Sequence, residues 1–284
     1  MKSPAANVVI TGTATGIGHA TALLLAECDF RVFAAVRKHA DLETWRAMAI
    51  EGIEPILLDV TQADSIEAAT AQVAEALGTR PLDALVNNAG ITVTSPLEFV
   101  DLDAMRSQFE VNVFGVAAVT RAFLPLLKRP GGRIVNVSSG AGKIAPPLIG
   151  PYTASKHALE AMSDVLRLEL RGQGIAVSVI QPGFIESAMH DKNQAAAAEL
   201  LDALPPDGKK KYAEAIERMR ANDERQSAGA APASEVAEAI HRAITAHRPR
   251  TRYPVTSEAK LLAWIGPFLS DRARDRIFGR ITGL

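Results

Sequence analysis

In "PYTASKHAL", Tyr152 and Lys156 stand four positions apart. Side chains at i and i+4 share one face of an α-helix, so in that conformation a phenol and an ammonium converge on one point. A free phenol titrates at about pH 10, and a fixed cation nearby favours the phenolate. Such a pair is suited to passing a proton to or from an oxygen. The preceding "APPLIGP" carries three prolines and one glycine, which break a helix, whereas "YTASKHALEAMSDVLRLELRGQG" has apolar residues at helical spacing up to a glycine stop. The pattern predicts a helix opened by Tyr152. The same spacing also occurs on solvated helix faces that do no chemistry, so the neighbouring motifs decide what it means.

A second chemical signal lies near the start of the chain. "VVITGTATGIGHATALLL" puts Gly12, Gly16 and Gly18, with Thr15 and Ile17 among them, between a strand-like run and a helical one. Glycines in such a turn let backbone approach a pyrophosphate, and the helix that follows aims its first N–H groups and positive dipole end at the charge. The spacing is G-x-x-x-G-x-G, a departure from the common G-x-G-x-x-G.

Both signals need elements to position them. Short β-rich runs ("NVVITG", "FRVFAAV", "EPILLDV", "LDALVNNAG", "GRIVNVSS", "IAVSVIQPG") alternate with amphipathic helical ones, so six strands are in place by Gly183. That alternation predicts an α/β fold, a doubly wound parallel sheet of Rossmann type. Thr61 and Asp64 have capping-box spacing ahead of the third helix. Residues 186–231 turn polar, alanine-rich and basic and read as an inserted helical lid over a substrate pocket. The pattern resumes with "ASEVAEAIHRAITAH", a last strand candidate "TRYPVT", and a C-terminal helical segment over 257–284. With no linker and no internal repeat, residues 1–284 read as one domain. Of the 284 residues, 48% are hydrophobic and 22% charged, which suits a soluble protein with a substantial core. The 31 basic and 32 acidic side chains nearly cancel, so no global field draws in nucleic acid or anionic lipid. Cys28, the single cysteine, is expected to be a buried structural thiol. "MKSPAANVVITG" enters a strand directly, with no signal-type or membrane-spanning stretch. A cytoplasmic location without membrane association is therefore expected.

The ordered set "TGTATGIG", "NNAG", "NVSS" and "YTASK" resembles the short-chain dehydrogenase/reductase family, over about residue 7 to residue 190. The stretches "GPYTASKHALEAMSDVLRLELRGQGI" and "RYPVTSEAKLLAW" look most like its steroid- and retinol-active branch. The resemblance implies that Tyr152 and Lys156 are catalytic, with the serine thirteen positions before the tyrosine, Ser139, beside them; Ser138 is left to strand-end packing. Tyr152 would exchange a proton with a carbonyl or alcohol oxygen as hydride moves, Ser139 would hold that oxygen, and Lys156 would also bind the nicotinamide ribose. Asn112, in "FEVNVFG", would support a water relay. By the same carry-over, Asp59 and Val60 lie at the adenine. Asn87, Asn88, Ala89 and Gly90 lie beside the adenosine ribose, and Pro182, Gly183, Ile185 and Ser187 around the nicotinamide carboxamide.

An enzyme that uses NAD places a carboxylate at the end of the second strand, where it would repel a 2′-phosphate. Here Val36 stands in that place and Arg37 and Lys38 follow. Arginine is suited to bidentate phosphate recognition, so NADP(H) is expected over NAD(H). The substrate pocket is expected at Ser139, Tyr152, Ile144, Phe184 and Met189 together with the apolar "LLAWIGPFL", which favours a small lipophilic alcohol or carbonyl compound. Two other readings are a 3-oxoacyl thioester reductase and a nucleotide-sensing protein without turnover; the second has no chemical need for Ser139, Tyr152 and Lys156 together. Family relatives pair through the Asn112 and Tyr152 helices, which implies a homodimer or homotetramer. The six histidines have no paired spacing for a metal, so no metal site is expected. The sequon Asn136–Ser138 falls in a predicted buried strand.

Overall fold

The apolar runs read from the sequence are strands buried on both faces, and they are the spine of the fold. The computed structural model describes residues 6–186, 200–227, 229–257, 259–261 and 268–284. Strands β1 (Asn7–Thr11), β2 (Arg31–Val36), β3 (Ile53–Leu57), β4 (Ala84–Asn87), β5 (Arg133–Val137), β6 (Ala176–Gln181) and β7 (Arg252–Pro254) form one sheet in the order β3-β2-β1-β4-β5-β6-β7. Every pairing is parallel. The helices are α1 (Gly16–Glu27), α2 (His39–Met48), α3 (Ala63–Leu77), α4 (Leu102–Phe109), α5 (Val116–Phe123), α6 (Gly150–Glu169), α7 (Pro206–Ser227), α8 (Ala233–Thr245) and α9 (Asp271–Thr282).

Alternate residues of each strand face opposite layers. Val8 and Ile10 of β1 join Leu25 of α1, Trp45 of α2 and Ile240 of α8 on one side. Val9 joins Val73 of α3 and Phe123 of α5 on the other. This two-sided burial is why the strands read as continuous apolar runs rather than alternating ones. The strand order reverses between β1 and β4, and a crevice opens there at the carboxyl ends of the strands. The glycine turn leaves β1 and "NNAG" leaves β4, so both edge that crevice.

Several local expectations need correction. Helix α6 begins at Gly150, two residues before Tyr152, with Pro151 in its first turn; a first-turn proline loses no hydrogen bond, because that N–H has no intrahelical partner anyway. The N-cap of α3 is Gln62, without a side-chain bond, and Thr61 instead gives its N–H and hydroxyl to Asp59 at 2.9 and 2.7 Å. Cys28 is exposed rather than buried. It is the C-cap of α1, just past the last buried turn at Leu25. The sequon's Asn136 is fully buried. The run Leu102–Leu126 is long and apolar enough to cross a membrane by composition, yet its Val119 and Phe123 are core residues of this sheet. The segment expected as a lid leaves and returns at one backbone pairing, Glu186 N–H to Ala231 O at 3.0 Å and Ala231 N–H to Phe184 O at 3.1 Å. Between these ends, Leu204, Ala215 and Ile216 form a small core with Leu148, just ahead of α6, and Phe99 packs on it.

Candidate active site

The floor of the site is the turn after β1. Gly12 and Gly16 have φ of +71° and +61°, a left-handed conformation that glycine adopts without strain. A Cβ on Gly12 would come within 2.8 Å of Ala89 Cα, and one on Gly18 would collide with the Gly12 carbonyl and lie 2.5 Å from Asn88 Nδ2. Two side chains, one from the end of β1 and one just after β4, brace the turn. Asn88 donates through Nδ2 to the Thr11 and Gly12 carbonyls, both at 2.9 Å, and Thr11 Oγ1 accepts the N–H groups of Asn88 and Ala89 at 3.0 Å. Helix α1 starts after Thr15 with no side-chain cap and no acidic residue in its first turn. Its first N–H groups and positive end therefore face the crevice without a protein anion to satisfy them, and the cradle suits a dinucleotide pyrophosphate.

The groups expected to react lie at the end of β5 and the start of α6. The Ser139 hydroxyl accepts the Ala141 N–H at 3.2 Å and lies close enough to the Tyr152 phenol to draw its pKa down. Lys156, 5% exposed, lies with Nζ 5.7 Å from the Tyr152 ring centre and donates to the Val137 carbonyl at 2.9 Å. Its ammonium is poorly solvated there, and burial pulls its pKa from 10.5 down to about 8, with the Glu160 carboxylate acting in the opposite direction. Burial pushes the Tyr152 phenol up, against the nearby Ser139 hydroxyl. This differs from the lowered phenol expected of a neighbouring lysine, because burial outweighs what lowers it. Gly90 completes the corner: a Cβ there would sit 3.4 Å from Asn112 Oδ1 and 3.8 Å from Lys156 Nζ.

Asn112 is buried in a π-helical turn, Glu110–Gly115, between α4 and α5. Its Oδ1 accepts the Ile91 N–H at 2.9 Å, and Nδ2 donates to the Ile91 carbonyl at 3.0 Å and to Ser155 Oγ at 3.1 Å. Its side chain thus ties the "NNAG" loop to α6 and is spent on protein partners. Gln108, one turn earlier, holds the same loop through the Val93 N–H at 2.6 Å and the Ile91 carbonyl. Sequence reasoning missed Gln108, although its spacing of four from Asn112 is the signal that also linked Tyr152 and Lys156.

Of the expected cofactor residues, Pro182 is bound to the active-site loop, its carbonyl accepting the Gly140 N–H at 2.9 Å. Gly183 has no room for a side chain beside the Thr256 hydroxyl, and Ile185 packs against the core. Asp59 spends one carboxylate oxygen on Thr61, and Val60 lies against Gly115. Asn87 is directed inward, to Thr120 and Asn136 at 3.0 and 2.8 Å, and so does not reach a ribose. Arg37 and Lys38 are exposed at the end of β2, beside buried Val36; no carboxylate pairs with either among the described residues. Ile144 and Phe184 are both part-exposed. Ser187 and Met189 lie outside the described residues. Ser138 is buried and its hydroxyl has no hydrogen-bond partner, consistent with strand-end packing.

A family profile for short chain dehydrogenase matches residues 6–198. A 3-amino-tetrahydro-pyrrolizinone reductase of Xenorhabdus hominickii is 36% identical, over 89% of this chain and 88% of its own. An NADPH-dependent 3-dehydrocapnine reductase of Ornithobacterium rhinotracheale is 31% identical over 95% of each chain. Retinol dehydrogenase 7 of Rattus norvegicus is 35% identical, over 93% of this chain and 86% of its own. A solved short-chain dehydrogenase from Streptomyces avermitilis superimposes with a TM-score of 0.78 at 26% identity, over 100% of this chain and 99% of that one. Because the likeness extends along nearly the whole chain, and not through the glycine turn alone, this chain belongs to the short-chain dehydrogenase family.

Proposed function

We propose that the protein is an NADP(H)-dependent oxidoreductase that interconverts a lipophilic alcohol with its ketone or aldehyde, with Tyr152 as the acid/base. The observation that carries this reading is that the Lys156 ammonium lies over the Tyr152 ring at 5.7 Å, beside Ser139, which draws the phenol down, in the corner that Gly90 keeps open. The cradle around Gly12, Gly16 and Gly18 would hold the pyrophosphate, and Lys156, the residue nearest Gly90 together with Asn112, would hold the nicotinamide ribose. When bound, the reduced nicotinamide supplies a hydride to the carbonyl carbon. Ser139 donates a hydrogen bond to the carbonyl oxygen, Tyr152 delivers the proton that oxygen needs, and the Lys156 charge stabilises the phenolate left behind. In the oxidation direction the same phenolate takes the proton from the alcohol.

The coenzyme preference rests on Arg37 and Lys38, unpaired and exposed where a carboxylate would reject a 2′-phosphate, and agrees with the NADPH dependence in the name of one relative. The lipophilic substrate rests on the part-exposed Ile144 and Phe184 and on the retinol in the name of another relative. We further propose a homo-oligomer paired through α4, α5 and α6, where Leu102, Phe114, Val165 and Leu168 are exposed.

The test is binding of NADPH and NADH by tryptophan-to-nicotinamide energy transfer, followed by a carbonyl panel read at the reduced-nicotinamide absorbance. Tighter NADPH, at least a tenfold loss of that preference in Arg37→Ala, and a drop in turnover of about 10²–10⁴-fold in Tyr152→Phe are expected. Binding without turnover across the panel would replace this reading with that of a nucleotide sensor.

A further inference from the structure

We infer that Glu160 is a positioning residue that keeps Lys156 in its charged form, through a carboxylate held in place by two hydrogen-bond donors and an ion pair from outside its own helix. The inference rests on the catalytic role proposed for Lys156. Tyr152, Lys156, Glu160 and Asp164 recur every four residues along α6, so phenol, ammonium and two carboxylates line one face in that order. Glu160 is 3% exposed. Its Oε1 accepts from Gln181 of β6 at 2.7 Å, its Oε2 accepts from Arg252 of β7 at 2.9 Å, and the same Oε2 forms an ion pair with Lys143, in the loop after β5, at 3.0 Å.

A buried carboxylate is costly unless paired and hydrogen-bonded, and here both oxygens are held. The carboxylate therefore cannot swing away, and its charge acts from a fixed point one helical turn beyond Lys156. Lys156 itself donates to a neutral carbonyl, that of Val137, and Glu160 is the charge that resists the pull of burial on it. The other charged or titratable groups facing Glu160 are Lys143 and Arg252, which oppose its field, and Asp164, which adds to it and shares Arg252 at 2.8 Å. Arg167 balances Asp164 at 3.2 Å. His157 lines the same cavity of about 330 Å³ as Lys143, Glu160 and Asp164, through which this end of the network meets water.

Because Glu160 attracts the Lys156 charge and Lys143 repels it, the two substitutions Glu160→Gln and Lys143→Met should displace the Lys156 titration in opposite directions. The titration is read by NMR on the full chain carrying ¹³C at the lysine ε-carbon, with Lys156→Met assigning the signal. The expected result is a downward displacement of about one pH unit or more in E160Q, an upward one in K143M, and an alkaline limb of the pH–rate profile that moves to lower pH in E160Q. An unmoved Lys156 titration in E160Q, or displacements of the same sign in both variants, would overturn the inference, because loosened packing acts without regard to sign. If E160Q does not fold, K143M decides alone, since the Lys143 side chain is 38% exposed; no upward displacement there sinks the idea. The NMR reading needs no substrate, so an absence of turnover in the wild-type chain would count against the oxidoreductase reading and leave this result standing.

Discussion

Lys156 is a cation held where water hardly reaches. A lysine at about 8 that titrates at 10.5 when solvated lowers folding stability by about 3 kcal/mol as an order of magnitude. The sign follows from the depressed folded value: the cost is fully present below pH 8 and is relieved as pH rises toward 10.5, because the folded state releases its proton first. Lys156→Met should therefore raise the melting temperature at pH 7 by a few degrees, net of the lost bond to Val137, while removing turnover. Melting curves from pH 7 to pH 10 check this. The wild-type chain should gain on the variant as pH rises, and a constant gap would show that the buried charge is not the cause. With the role proposed for Lys156, function and stability oppose each other at this residue.

The turn from β1 into α1 works through two elements at once. Its glycines are open to a phosphate only because Asn88 and Thr11 hold the backbone from the neighbouring strand ends. A methyl group at Gly18 would meet the Gly12 carbonyl and Asn88 Nδ2, so Gly18→Ala must push β4 and the turn apart. The expected result is a stability loss of about 1–3 kcal/mol and at least tenfold weaker binding of both NADPH and NADH, read by urea titration and by energy transfer. Equal loss for the two coenzymes separates this turn from Arg37, whose removal should weaken NADPH alone. The π-helical turn is a second device of this kind. It lets Asn112 reach Ile91 and Ser155 together, so the "NNAG" loop and the catalytic helix keep one spacing.

For the molecule as a whole, Leu102, Phe114, Val165 and Leu168 are between 53% and 62% exposed on α4, the π-helical turn and α6, which pack side by side. Large apolar side chains gathered on adjacent helices mark an interaction surface more often than isolated ones do. Light scattering on the full chain should give a dimer or larger, and Phe114→Asp with Leu168→Asp should give a monomer that retains its melting transition. A monomeric wild type would remove the pairing proposal.

The placement of the candidate site residues was legible in the sequence where local rules govern it. A spacing of four on a helix aligned Tyr152 with Lys156, and a strand–glycine–helix turn needs no distant partner to be recognised. The alternation of apolar runs with helical stretches likewise determined a parallel sheet before any strand was paired, through the requirement that each apolar face be covered. What lay beyond the sequence depended on which distant segments meet. Glu160 and Arg252 are 92 positions apart, and they touch only because β7 adds beside β6 in one register. Asn112 has a loop and a helix to hold only once the chain has folded back on itself, and Cys28 is exposed because α1 ends one turn past its buried face. Periodicity specifies which face of an element is buried, but the partner on that face, and so the charge environment of Lys156, was decided by the packing of strands and helices that the sequence separates.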